Sequence, residues 1–169
     1  ASGGTIASMM NILEEARRDR RVARILVDPY SLNPEGEREG PDERDQQGVR
    51  YLEDAKSWTA PFVMAAVNTK VVRRSHALAG YPYGRGFQYQ EAIMTGDGPT
   101  GYIKGMMAAG AIGGLMTAGA FTPTRKVMGF FVPKPGDGPD EALRESGFFN
   151  LMQIGVLPDG TVLKTRITG

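Results

Sequence analysis

Apolar residues Ile6, Met9, Met10, Leu13 and Ala16 recur at helical spacing, while Glu14, Glu15, Arg17, Arg18 and Asp19 take the other face. A glycine turn with Ser2 or Thr5 as cap opens this predicted helix, which runs to about residue 20. Asp28-Pro29 then breaks regular structure. Residues 58–63 predict a short extended segment with Pro61 near its edge. Residues 64–78 predict a helix with Met64, Val67, Val71 and Leu78 in register, and Asn68, Lys70, Arg73, Arg74 and His76 opposite them. Residues 87–94 predict a strand that puts Phe87 and Tyr89 on one side and Gln88 and Gln90 on the other. Residues 133–139 predict a stiff Pro/Gly connector, and 140–146 a short helix stopped at Gly147. The end of the chain predicts a hairpin of 148–157 with 161–168, closed at Pro158-Asp159-Gly160 and laying one apolar face on a sheet or helix layer.

The 169 residues suit one domain, because a chain near this length buries roughly 70% of its unfolded surface. With 20 Lys+Arg against 19 Asp+Glu, the balance lacks the basic excess of a phosphate-backbone binder, so no nucleic-acid partner is expected. The absence of Cys removes disulfides, thiolate catalysis and Cys-ligated metals, and His76 as the one histidine removes a His-rich site, so no metal is expected. A start at Ala1-Ser2-Gly3-Gly4-Thr5 and an end just behind a predicted strand suggest a piece of a longer protein.

Five segments carry candidate chemistry. Residues 17–24 hold five arginines interspersed with acid, which reads as a solvated helix end. Residues 35–45 hold six carboxylates and two arginines in a Gly/Pro setting, so a flexible acidic surface loop is expected over about 35–50. The polar face of helix 64–78 reads either as an exposed helix face or as a receptor for an anion, since arginine offers a planar fork of donors and Asn68 and Thr69 add neutral ones. Gly96-Asp97-Gly98-Pro99-Thr100-Gly101 matches the dinucleotide pattern in letters. No acid follows before Asp137 to hold a ribose, and Pro99 removes a backbone donor, so a simple glycine turn is the expectation. Residues 105–124 carry no charge over 20 positions. They are rich in Gly, Ala and Met, with small-residue rows Gly105, Ala109, Gly113 and Gly110, Gly114, Ala118 that allow close helix packing; contact with a membrane is the other reading.

Several of these motifs, taken in order, resemble the saccharopine dehydrogenase-like oxidoreductases, in the branch that includes trans-acting enoyl reductases. They are Ser2-Gly3-Gly4-Thr5 opening a helix, Asp28-Pro29-Tyr30-Ser31-Leu32, and Trp58-Thr59-Ala60-Pro61-Phe62-Val63-Met64 followed by Asn68-Thr69 and Val72-Arg73-Arg74-Ser75. Tyr83-Gly84 before Phe87-Gln88-Tyr89, and Pro133-Lys134-Pro135-Gly136-Asp137-Gly138-Pro139, complete the set, with His76 where Asn is more usual. The resemblance implies an α+β fold, with a mixed or antiparallel sheet and packed helices, as the second domain of a Rossmann-type oxidoreductase. Residues 1–169 would then be a single substrate-binding or dimerisation domain lacking its upstream Rossmann half.

The implied function is part of an NAD(P)-dependent reductase of lipid metabolism, acting on an enoyl or carbonyl group of a lipid or polyketide-type substrate. NAD or NADP would be bound mainly by the missing domain, with Gly3, Gly4 and Thr5 approaching the cofactor. Asn68, Thr69, Arg73 and Arg74 are the expected substrate-binding residues. Tyr81, Tyr83 and His76 stay open as proton donors. Expected partners are the Rossmann domain of the same polypeptide, a second copy in a homodimer, and a membrane through 105–124; the expected location is cytoplasmic, with possible membrane association. The competing reading is a non-catalytic membrane-associated or protein-interaction module that uses 105–124 as its contact.

Overall fold

A computed structural model describes residues 3–42, 44–120 and 141–169. The expected connector at 133–139 and the last residues of 105–124 lie outside the described residues. Helix α1 (Gly3–Arg18) is followed by a second helix, α2 (Arg20–Val27), where the sequence predicted one helix ending near residue 20. Asp19 is the reason. It sits at φ −124°, ψ 115°, outside helical space, and its carboxylate accepts from Arg21 N–H, so it caps a new helix. Gly3, Gly4 and Thr5 form the first turn of α1 rather than a turn before it.

Strands β1 (Arg50–Leu52), β2 (Ser57–Pro61) and β3 (Ala92–Gly96) form an antiparallel sheet in that spatial order, with Tyr51 opposite Trp58 and Thr59 opposite Met94. Helix α3 (Ala65–Leu78) follows β2, and α4 (Gly98–Ala120) follows β3. The strand expected at 87–94 begins only at Ala92, because Tyr89 N–H and C=O are bound by the side chains of Asp42 and Arg73 and are not available to a ladder. After a short α5 (Glu141–Glu145), β4 (Asn150–Val156) and β5 (Val162–Thr168) form the expected hairpin. Gly160 turns it at φ +84°, and Asp159 accepts from Thr161 N–H at 2.8 Å. Helices with antiparallel sheets make the fold α+β.

The first half of α4 lies over the sheet: Gly101 meets Gly96 and Trp58, Gly105 meets Val49 and Thr95, and Tyr102 stacks edge-on to Trp58 at 4.8 Å. Its second half does not pack as the small-residue rows led one to expect. A Cβ added at Gly110, Gly113 or Gly114 meets no atom within 4 Å, so the contact that would demand glycine there is absent among the described residues. The hairpin also differs from expectation: Leu163 and Ile167 pair with Gly155 and Leu151 and so lie on the face opposite Met152, Ile154 and Val156, and Val156, Leu163 and Ile167 stay about half exposed. Among the described residues no helix is long and apolar enough to cross a membrane. Met10, Tyr30, Ala60, Pro61 and Ala65 are the buried apolar side chains among the described residues, whereas Asn33, Ser57, Thr59, Thr69, Lys70, Arg73 and His76 are buried polar ones. Hydrogen bonding therefore organises the interior around α3.

Candidate functional site

Helix α3 is inverted relative to a simple amphipathic reading. Ala65, Thr69, Lys70, Arg73 and His76 face inward, while Val67, Val71 and Leu78 stand about half exposed or more. The inward row works because each polar group finds a partner. Thr69 donates to Ala65 C=O at 2.7 Å, with Asp45 Oδ1 at 3.1 Å. Lys70 Nζ donates to Leu26 C=O (2.8 Å) at the end of α2 and to Ala66 C=O (3.3 Å). Burial holds its ammonium below the usual lysine range.

Arg73 is the hub. Nε donates to Asp42 Oδ2 at 2.9 Å in an ion pair whose side chains are 2% and 1% exposed. Nη1 donates to Pro29 C=O and Thr69 Oγ1, and Nη2 to Tyr89 C=O at 2.9 Å. Asp42 in turn accepts from Tyr30 OH (2.9 Å) and from Tyr89 N–H (2.8 Å), and its own N–H donates to the Tyr30 oxygen (2.9 Å). One guanidinium and one carboxylate thus join α3, the turn after α2, the acidic loop and the approach to β3. Beside them Asn68 donates to Glu91 Oε2 and Tyr89 to Glu91 Oε1, both at 2.9 Å.

These contacts revise two expectations. The polar face of α3 is not an exposed face, and Arg73 with Thr69 is not an open anion receptor, because an internal carboxylate already occupies the fork. The acidic loop lacks helix and strand as expected, yet Glu37, Asp42 and Asp45 bind inward: Glu37 accepts from Tyr81 OH at 2.5 Å and from Arg85 at 2.8 Å. The sequence shows acids and arginines in separate stretches, and only folding pairs them. Of the four expected substrate residues, Thr69 and Arg73 meet directly, Asn68 lies in the adjoining Glu91 contact, and Arg74 turns outward to Leu32 C=O. Tyr30, Asp42, Lys70 and Glu91 were missed as a set; the Asp28-Pro29-Tyr30 turn is the one local signal that pointed toward them.

The three open proton donors converge in part. His76 Nε2 accepts from Tyr83 N–H at 3.2 Å, and its ring stacks on Tyr83 and meets Tyr81 and Phe87 at centroid distances of 5.2 and 4.8 Å. The Glu37 carboxylate holds the Tyr81 phenol above the usual tyrosine range. A cavity of about 10 Å³ among Tyr30, Asn33, Asp42, Arg73, His76 and Phe87 has room for roughly one water. An open cleft of about 530 Å³ also borders Asp42 and is lined with it by Pro29, Arg44, Asp45, Gln47, Gly48 and Arg50. That volume falls in the range of small-molecule sites. Among the described residues no acidic or histidine cluster suits a metal ion.

The G-x-G-x-x-G segment does follow a strand and open a helix, but it does not fit a pyrophosphate. Asp97 Oδ1 already accepts from Gly98 N–H at 2.7 Å and from Tyr51 OH at 2.9 Å, which places a fixed negative charge where the phosphates would come. The strand before it is also antiparallel to its neighbour, unlike the parallel unit of a dinucleotide fold.

Tyr30 makes the network pH-sensitive. Burial above all, opposed by the Asp42 N–H and reinforced by the Asp42 carboxylate, pushes its phenol from 10.0 up to about 12. A raised folded-state pKa means that the stability Tyr30 contributes is complete below pH 10.0 and is lost as pH rises toward about 12. Denaturant melts on either side of pH 10.0 are expected to show this alkaline loss, and Tyr30→Phe to flatten it. An unchanged slope in Tyr30→Phe would assign the loss to other tyrosines.

The chain is 39% identical over 159 residues to a Mycobacterium tuberculosis H37Rv protein provisionally named trans-acting enoyl reductase. It is 32% identical over 158 residues to the trans-acting enoyl reductase of Mycobacterium ulcerans, and 31% identical over 157 residues to that of Mycobacterium bovis BCG. These alignments cover 88–89% of the chain but 38% of each relative, so the chain spans well under half their length. No protein-family profile and no solved structure matches it. The chain is thus similar to one part of proteins named trans-acting enoyl reductase.

Proposed function

We propose that the chain is the substrate-binding or dimerisation part of a saccharopine dehydrogenase-like, NAD(P)-dependent oxidoreductase acting on an enoyl or carbonyl group of a lipid or polyketide-type substrate. The observation that carries this reading is the likeness, over 89% of the chain, to proteins named trans-acting enoyl reductase. NAD(P)H, held mainly by a Rossmann domain outside these 169 residues, supplies the hydride. Gly3, Gly4 and Thr5 open α1 with backbone N–H groups that have no helical partner, and this end approaches the cofactor. The cleft beside Asp42 and Asp45 receives the substrate. Thr69 and Arg73 hold its wall in place from inside, so they are positioning residues; Asn68 and Arg74, the less buried of the four, lie outside the residues that line the cleft and serve polar groups of the substrate that extend beyond it.

The test is NADPH oxidation with an enoyl thioester. The chain alone is expected to be inactive and to bind neither NADH nor NADPH in calorimetry. Joined to the amino-terminal portion of the Mycobacterium tuberculosis relative, it is expected to turn over, and Arg74→Ala to raise KM more than it lowers kcat. A folded fusion that oxidises no NADPH with any enoyl thioester would sink the proposal.

A further inference from the structure

The open cleft beside Asp42 carries an excess of positive charge, although the chain as a whole is close to neutral at +1. Its charged lining residues are Asp42, Arg44, Asp45 and Arg50. Both acids spend their charge on the interior. Asp42, with a side chain 1% exposed, is held by Arg73, while Asp45 accepts from Thr69 Oγ1 at 3.1 Å and favours the charged form of the buried Lys70. Both arginines are exposed, and among the described residues neither guanidinium meets a carboxylate or a carbonyl. Each acid is thus matched by a buried cation, and the two guanidinium groups at the cleft are left unneutralised.

The backbone under both arginines is fixed. Arg44 lies between Asp42 and Asp45, which are each bound to α3. Arg50 opens β1 opposite Thr59, whose hydroxyl donates to the Arg50 carbonyl at 3.0 Å. Gln46 Nε2 donates to Gly48 C=O at 2.7 Å and to Thr59 C=O at 3.0 Å, so the segment joining the two arginines is pinned to β2. A ligand therefore meets a frame that is already ordered. Two planar forks offer more donors than the two oxygens of one carboxylate accept, whereas a phosphate ester carries enough oxygens around one centre to satisfy both.

We propose that Arg44 and Arg50 form a phosphate-ester subsite in the cleft, which takes the phosphorylated arm of a thioester substrate, as in coenzyme A. This subsite rests on the cleft being the substrate site of the proposed reductase; its charge rests on the two arginines alone. Crotonyl-coenzyme A and crotonyl-pantetheine share the reacting group and differ in their phosphates, so together they isolate the contact. Titrations of the 169-residue chain followed by amide NMR shifts are expected to place crotonyl-coenzyme A on residues 44–50 and to show distinctly weaker binding of crotonyl-pantetheine. Arg44→Gln and Arg50→Gln are each expected to weaken crotonyl-coenzyme A about tenfold, the low end for a hydrogen bond to a charged group, and to leave crotonyl-pantetheine unchanged. Arg20→Gln removes the same charge from α2, outside the cleft, and is expected to change neither. Equal binding of the two thioesters, an Arg20→Gln loss as large as that of Arg44→Gln, or NADPH binding at residues 44–50 as tightly as crotonyl-coenzyme A would each overturn the subsite. A fusion that oxidises no NADPH while the chain still binds crotonyl-coenzyme A through both arginines would remove the reductase reading and leave the subsite. A fusion that reduces crotonyl-pantetheine with the KM of crotonyl-coenzyme A would remove the subsite and leave the reductase.

Discussion

Removing either partner of the buried Arg73–Asp42 pair is expected to cost about 3–5 kcal/mol, because the survivor is left as an uncompensated charge away from water. That is a large share of the roughly 5–15 kcal/mol by which domains are stable. The loss extends beyond the pair. Arg73→Ala also removes the donors to the Pro29 and Tyr89 carbonyls, and Asp42→Ala leaves the buried Tyr89 N–H without its acceptor and Tyr30 OH without the acceptor for its proton. The double variant is expected to cost clearly less than the sum of the singles, since the same network fails once. Arg74→Ala, an exposed neighbour on the same helix, is expected to stay within about 0.5 kcal/mol of the parent. Urea unfolding of the four variants gives the comparison. Single variants no worse than Arg74→Ala would mean that this ion pair is not the organising contact.

The second large effect is expected at Gly101. A Cβ there would lie 2.1 Å from the Gly96 carbonyl oxygen and 3.2 Å from the Trp58 ring, so helix α4 could not seat on the strand that precedes it. Gly101→Ala must push backbone against backbone, and the loss is expected to reach or exceed the 1–3 kcal/mol typical of overpacking, or about several degrees of melting temperature. Gly98 offers a contrast within the same motif: its surroundings are open, but its φ of +64° penalises any side chain by about 1–2 kcal/mol. Thermal melts ranking Gly98→Ala as the more damaging would show that helix seating tolerates movement at Gly101. The glycines of the dinucleotide-like pattern thus serve turn geometry and helix packing, with Asp97 filling the place of a ligand.

The Arg73–Asp42 pair ties the acidic loop to α3, and the loop forms one wall of the cleft. In the proposed fusion reductase, weakening the pair is expected to raise KM through loop position, because Arg73 lies behind the cleft wall and Asp42 is part of it.

Local chemistry in the sequence determined a good deal. The helix over 64–78 appears as α3, the extended segment at 58–63 as β2, and the Pro158-Asp159-Gly160 turn closes the hairpin, because each rests on periodicity or turn stereochemistry that neighbouring residues carry by themselves. The α+β class came instead from the resemblance to a family, and the antiparallel sheets with helices agree with it. What tertiary structure alone decided is which face of α3 is inside. Periodicity assigns the valines inward, but Thr69, Lys70, Arg73 and His76 are buried instead, since Asp42, Asp45, Tyr30, the Leu26 carbonyl and the Tyr83 amide arrive from segments distant in sequence to satisfy them. The strand start at Ala92 shifted for the same reason, its expected first half being bound by Asp42 and Arg73. Burial of charge depends on a partner, and a partner supplied from 31 residues away is invisible to any local pattern.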